Sequence, residues 1–453
     1  MLSYIFLTAT AIVSAFKSLL ARFYPKIEHL SLIREIEPSN EPIKALQTMI
    51  EIDGAGAWPP KASYRESWPV VLHPYHDIFV VLAPLLPVID VSLDSTINQC
   101  RRMEYQQRLR ILLKERVNLG LVKETLSAAA DETSCVITNQ QYNGFYACIS
   151  YLRHAFRWGT IPIVEVAQQE KIIDFPPELD LPWDFIRQKY GITSLGGNVT
   201  SNFFCNLDRD RNKIEYAING SMPEPIPSAE YYLIYAFTEP ERKALPVYYH
   251  LVQSITCFER DQKHACVEHL QSLTVHLRAA FRVYYEYVID SKIPHSVFTA
   301  YIQGFHGWAA GEMIDDKYME YDGTSGANLV LFNVLDFFLG LEPFLAEQDY
   351  VKYFSSSQRR FLTSIKTHAF RAAAEQANDV DLVQQFDYIG KQLRTFRSAH
   401  RKRTRQYLSQ SRPERLLMTA GSSMVHSESG PITIEDLVQL VDDGLRKKMT
   451  QTK

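Results

Sequence analysis

No dinucleotide-binding fingerprint, nucleophile elbow or His-Glu-x-x-His helix occurs in this chain, which removes the commonest hydrolase, protease and nucleotide-dependent classes. Cysteine is sparse: Cys100, Cys135, Cys148, Cys205, Cys257 and Cys266 are scattered, with no Cys-x-x-Cys pair. That usage excludes a cysteine-rich zinc module and suits buried free thiols in a reducing, cytoplasmic setting. Strand-like alternation never runs through consecutive segments, so no extended sheet is expected. An excess of one charge is also missing. Lys and Arg number 48 against 52 Asp and Glu, a net charge of -4, which gives no global drive toward nucleic acid.

What is present is apolar mass. The 453 residues are 46% hydrophobic and 12% aromatic, enough for a large interior and more than one core normally holds. The reading is an all-α protein divided as an apolar N-terminal helix (1–24), a smaller helical domain (25–180), a large helical domain (181–420) and a tail with a short helix (421–453). Leu2 to Leu20 is interrupted by Lys17 and is read either as a helix packed on the body or as a weak membrane anchor. Asn198-Val-Thr and Asn219-Gly-Ser match the glycosylation pattern only formally. A long helical pattern covers Leu93 to Leu121. Another, opened by Asp131-Glu-Thr, carries Tyr146, Cys148, Ile149, Leu152 and Phe156 and stops at Trp158-Gly159. Pro162 to Gly197, broken by Pro176-Pro177 and Pro182, reads as the connector between domains. Ser228-Ala-Glu is an N-cap candidate ahead of Tyr231 to Phe237, followed by helices over Leu245 to Phe258 and Ala265 to Ile289.

Chemistry is harder to find. His264, His269 and His276 have a spacing that makes no convincing metal-binding face. Tyr321-Asp-Gly-Thr-Ser-Gly-Ala lacks the lysine of a P-loop and reads as a loop crossing a site. Near the carboxyl end, Leu393, Phe396, Arg397, His400, Thr404 and Tyr407 share one helical stripe, while Arg401, Lys402 and Arg405 turn toward an outer, solvated face. A neutral imidazole on an inward stripe is either a core histidine satisfied by a carbonyl or a haem iron ligand.

Several blocks taken in order decide between them. His154-Ala-Phe-Arg-Trp-Gly, Phe258-Glu-Arg-Asp, Gly307-Trp308, Tyr321-Asp-Gly-Thr-Ser-Gly-Ala, Leu335-Asp-Phe-Phe-Leu-Gly-Leu, Arg359-Arg-Phe-Leu and Leu393-Arg-Thr-Phe-Arg-Ser-Ala-His together resemble the indoleamine 2,3-dioxygenase family. The resemblance implies an all-helical, two-domain protein that binds haem b and inserts both atoms of O2 across an indole C2=C3 bond, giving an N-formylkynurenine-type product. It implies His400 as proximal iron ligand, Arg397 beside a haem propionate, and Asp336 as the partner of that arginine. It also implies a monomer acting on O2 and an indole-type small molecule, tryptophan or a derivative, without nucleic acid.

The distal side departs from the family pattern. An ungapped alignment places Ile302 where the family carries the arginine that pairs with the substrate carboxylate. Val297 falls at the indole-packing phenylalanine, with Phe298 beside it. Tyr235 falls at the distal serine, and His306 at a position usually held by a small hydroxyl residue. Thr324, Ser325, Gly326 and Ala327 would line the substrate side. An apolar side chain cannot replace a guanidinium's bidentate hold, so free tryptophan is expected to bind poorly unless another cation such as Arg282 moves in. The rival readings are oxidation of a specialised metabolite without a free carboxylate, and haem binding without turnover.

Overall fold

The computed structural model describes residues 29–87, 92, 94–130, 136–159, 172–303, 305–306, 310–321, 324–408, four two-residue strands between 418 and 431, and 434–451. Leu2 to Leu20, Cys135, Gly307 and Trp308 lie outside them. No helix among the described residues is long and apolar enough to cross a membrane.

Helix α1 (His29–Glu35) and α2 (Glu41–Thr48) lead through a tight segment to α3 (His73–Leu82), α4 (Ser95–Arg116), α5 (Leu119–Ala130), α6 (Asn139–Trp158) and α7 (Pro177–Tyr190). The expected Leu93 to Leu121 helix is thus two helices. They part at Val117, whose extended backbone ends α4. Helix α6 begins later than Asp131 because Thr138 and Gln141 form a reciprocal capping box. It ends where Gly159 takes a left-handed φ of 61°. Between those ends every residue from Tyr142 to Trp158 is buried, which makes α6 the axis of the first core. Helix α7 runs through Pro182, against the expectation of a connector. Pro182 cannot donate to the Glu178 carbonyl four residues back, and that carbonyl instead accepts the Tyr75 hydroxyl at 2.9 Å.

The second core is built on α8 (Ile226–Glu259) and α9 (Lys263–Tyr287), a long helical hairpin turned by Asp261 in a left-handed conformation. Helix α8 starts at Ile226 rather than Ser228 and carries Pro240 and Pro246 within it, fusing two expected helices. A short hairpin of β1 (Ala310–Ile314) and β2 (Lys317–Tyr321) follows, turned by Asp315 and Asp316 at φ 48° and 60°. Both values suit a type I′ turn, a strand signal the sequence reading did not pick up. Then come α10 (Val330–Phe338), α11 (Ser356–His368), α12 (Arg371–Gln376), α13 (Val380–Leu408) and α14 (Ile434–Thr450). Glu241 of α8 ties three segments together. It accepts from Trp58 Nε1 (2.9 Å), Tyr248 Oη (2.6 Å) and the Leu331 amide at the start of α10 (2.9 Å).

The two cores do not divide the chain at residue 180. Ile33, Ile43, Leu46 and Trp58 pack into the second core, whereas Trp183, Ile186 and Tyr190 of α7 pack into the first. Burial of the apolar face of each helix, rather than sequence adjacency, sorts these elements between the two cores. The 421–453 tail is also more than a tail, because α14 lies along α13. There Asp442, fully buried, is gripped by Arg401, by Arg405 at 3.3 Å and by Arg446 at 2.9 Å. Of the basic face expected to be solvated, Lys402 and Arg405 are exposed, and Arg401 is partly covered by the helix that carries Asp442. The two formal glycosylation acceptors are closed as well: Asn198 and Asn219 are buried, and Asn198 Nδ2 donates to the Tyr353 carbonyl.

Candidate functional site

Helix α13 packs against α9 through aromatic rings, Phe281 on Phe396 at 4.6 Å and Tyr284 on Phe396 at 5.2 Å. His400 lies one turn beyond Phe396. Its ring is half-buried, 5.5 Å from Tyr284 and nearly parallel to Phe396 at 6.1 Å. Burial, then the Arg397 charge, lowers its pKa to about 4, so the imidazole is neutral at neutral pH. Neither ring nitrogen has a hydrogen bond among the described residues, which leaves the core-histidine alternative without its carbonyl.

Arg397 is buried and donates from Nη2 to Asp336 Oδ1 at 2.5 Å, a pair with side chains 3% exposed on each side. Lys448 of α14 brings a second cation, its Nζ 3.8 Å from Asp336 Oδ2. Phe344 lies beneath both cations, 5.6 Å from the guanidinium and 4.6 Å from the ammonium. Two positive groups thus share one buried carboxylate, and Arg397 Nη1 and Lys448 Nζ have no hydrogen-bond acceptor among the described residues. Buried donors of that kind fit an anionic group brought in by a ligand. Lys448 was missed from the sequence because it stands 48 residues after His400, in a helix of its own.

His306 is 2% exposed and neither ring nitrogen has a hydrogen-bond partner among the described residues. It is walled by Phe203 at 5.0 Å, Tyr151 at 5.9 Å and Phe305 at 6.0 Å. Burial lowers its pKa to about 3. The turn that carries it is held from the first core, since His154 Nδ1 (2.7 Å) and Trp158 Nε1 (3.1 Å) both donate to the Phe305 carbonyl. His154 Nε2 in turn accepts from the Gly197 amide at 3.2 Å, which assigns the Nδ1–H tautomer. No side chain fits at Gly197, where a Cβ would stand 1.9 Å from Ser150 Oγ. His154 and Trp158 belong to the first matching block, and their positioning of the His306 turn depends on a contact across some 150 residues.

The expected substrate-side residues fall in two groups. Val297 and Ile302 are buried in a small apolar cluster with Ile226, Leu233, Ile293 and Tyr407, and Phe298 packs on it with its ring 5.1 Å from Tyr407. Tyr407 comes from α13, two turns past His400, so the cluster and His400 share one helix. Thr324 is buried and its amide donates to the His306 carbonyl at 3.3 Å. Ser325 Oγ accepts from the Ala327 amide, and a Cβ at Gly326 would meet nothing within 4 Å, so this loop borders open space. Tyr235 of α8 is half-buried, stacked on Tyr231 at 5.9 Å and tilted against Tyr287 at 4.7 Å; burial raises its phenol pKa. Arg282 is no substitute cation. It points to solvent, paired with Glu286 at 2.6 Å.

The unpartnered His306 imidazole makes a pH signature. Its folded pKa lies below the unfolded value near 6.5, so the unfolded chain takes up a proton that the native chain refuses, and stability is lost as pH falls from 6.5 toward 3. His306→Phe is expected to remove that component: between pH 6.5 and 5 the variant should lose about 2 kcal/mol less than the wild type. Urea unfolding of both chains at the two pH values measures it, and equal losses would show that water already reaches the ring.

A neutral imidazole with no hydrogen bond among the described residues, close to buried cations with unspent donors, is a donor set that a bound cofactor can use on a helical scaffold. The sequence profile of the family described as Indoleamine 2,3-dioxygenase matches residues 129–431, and the chain belongs to that family. The family is one of haem-dependent dioxygenases, oxidoreductases of all-α fold. No curated protein matches the chain.

Proposed function

We propose that this chain binds haem b through His400 and cleaves the C2=C3 bond of an indole-type substrate that carries no free carboxylate. The residues present suit the group. His400 offers a neutral nitrogen, and Arg397 and Lys448 would hold porphyrin carboxylates with the donors they do not spend on Asp336. When bound, the haem supplies O2 activation; each of C2 and C3 of the indole gains one oxygen atom as their bond breaks, with no outside reductant. The chain's own part is orientation and exclusion of water.

The observation that carries the reading is His306, a buried imidazole whose two nitrogens have no partner among the described residues. Neutral down to about pH 3, it can accept from an indole N–H through one nitrogen or donate to an oxygen atom through the other without bringing in a charge. Tyr235 has the weaker claim to a catalytic part, since its ring neighbours are tyrosines. Val297, Phe298 and Ile302 supply an apolar wall, and Ile302, fully buried among aliphatic and aromatic neighbours, gives a carboxylate nothing to pair with. Thr324 to Ala327 would close the substrate side.

The test is ring cleavage by the ferrous protein with O2 and two matched substrates, L-tryptophan and an indole whose carboxylate is removed or esterified. The neutral substrate is expected to turn over with the larger kcat/KM. Ile302→Arg should reverse that order, raising L-tryptophan affinity by about tenfold or more, the value of one charge-assisted pairing. Preference for L-tryptophan in the unaltered chain would overturn the substrate assignment. Failure to cleave any indole, with haem bound, would leave a haem-binding protein without turnover.

A further inference from the structure

Four histidines from three helices meet on the outer side of the second core. His29 opens α1, His250 lies in α8, and His269 and His276 lie two turns apart on α9. One ring nitrogen each from His29, His250 and His276 can be chosen so that all lie within 4.8 Å of one another. The rings of His250 and His276 are nearly parallel, 5.5 Å apart at 13°, and His29 stands edge-on to both at 5.9 and 5.2 Å. His269 approaches from the far side, its Nδ1 3.0 Å from His250 Nδ1.

We propose that His29, His250 and His276 form a binding site for a divalent zinc-class cation, with His269 as the outer partner that orients His250. An all-imidazole donor set selects borderline metals such as zinc over calcium or magnesium, which want oxygen ligands. Zinc bonds to nitrogen of about 2.0–2.1 Å place neighbouring donors roughly 3.3 Å apart, so the present spacing of up to 4.8 Å needs side-chain closure of as much as about 1.5 Å, with the nearly parallel His250 and His276 rings turning toward the ion. In the tautomer that has His250 donating from Nδ1 to His269 Nδ1, the His250 Nε2 lone pair is left for the ion, the arrangement by which ligating histidines commonly have their tautomer set. The three rings are half-buried, so an ion can reach them. Spacing along α9 alone hid the site, because two of the three donors come from other helices.

The site joins α1 to the α8–α9 hairpin. It lies on the same helix as Tyr284, which touches His400, but about 12 Å up the axis at the helical rise of eight residues. Zinc bound here ties α1, the first helix of the described residues, to that hairpin. It makes no use of the haem assignment.

Full-length protein without a polyhistidine tag, cleared of metal by a chelator, is titrated with Zn2+ against a chromophoric competitor. The expected result is one tight zinc per chain, retained in His400→Ala and accompanied by a rise in melting temperature. His29→Ala and His276→Ala should each weaken binding by more than the roughly 10- to 100-fold that loss of an outer partner costs, and abolish the rise. His269→Ala should fall within that range. His29 opens a short helix at the edge of the fold, so its variant reports even where a change on α9 impairs folding. Equal stoichiometry and affinity in wild type, His29→Ala and His276→Ala, or loss of the tight zinc in His400→Ala alone, would overturn the proposal.

Discussion

His400→Ala, purified under the same conditions as the wild type, is expected to lack the Soret absorption entirely while keeping its helical circular dichroism. The reasoning combines two observations. His400 is half-buried with no hydrogen bond on either ring nitrogen among the described residues, and burial holds it neutral with a pKa of about 4. A core histidine normally spends its nitrogens on neighbours, as His154 does on Phe305 and Gly197. Alanine is also the best helix former, and α13 is anchored on both sides of position 400 by Leu393, Phe396 and Tyr407, so the helix persists without the imidazole. Haem retained at wild-type absorbance in His400→Ala would move the ligand to another residue.

Asp336→Ala is expected to be the most destabilising single change near the site, by about 3–5 kcal/mol, because it leaves Arg397 and Lys448 buried with no counter-charge. Asp336→Asn should cost less, keeping a hydrogen-bond acceptor while losing the charge. Urea denaturation read by circular dichroism measures both. Haem loading should rescue Asp336→Ala more than it stabilises the wild type, since porphyrin carboxylates would restore the missing negative charge beside the two cations. A loss under about 1 kcal/mol would mean that water solvates the cations and that the pair acts like a surface one.

Lys448 shows how the site depends on the fold. In sequence it is one basic residue in an amphipathic terminal helix. In space it is 5% exposed and shares Asp336 with Arg397, because Arg401, Arg405 and Arg446 clamp Asp442 and bring α14 down along α13. The histidine cluster has the same origin. His269 and His276 were visible on one helix and looked inert; His250 and His29 complete the set only once α8 folds back on α9 and α1 docks against both.

Local pattern by itself determined the all-α class, the long buried helix ending at Gly159, the inward stripe that places Arg397 and His400 on one face of α13, and, through ordered blocks, the family. These are properties of 3.6-residue periodicity, capping and short motifs, all carried within a turn or two of chain. Tertiary packing alone decided which helices share a core, that α7 survives Pro182 by lending its carbonyl to Tyr75, that His154 and Trp158 hold the His306 turn, and that Ile302 is enclosed by Tyr407 and Ile226. The physical reason is common to all four. Burial and hydrogen-bond satisfaction are settled between segments far apart in the chain, and no window of sequence contains both partners.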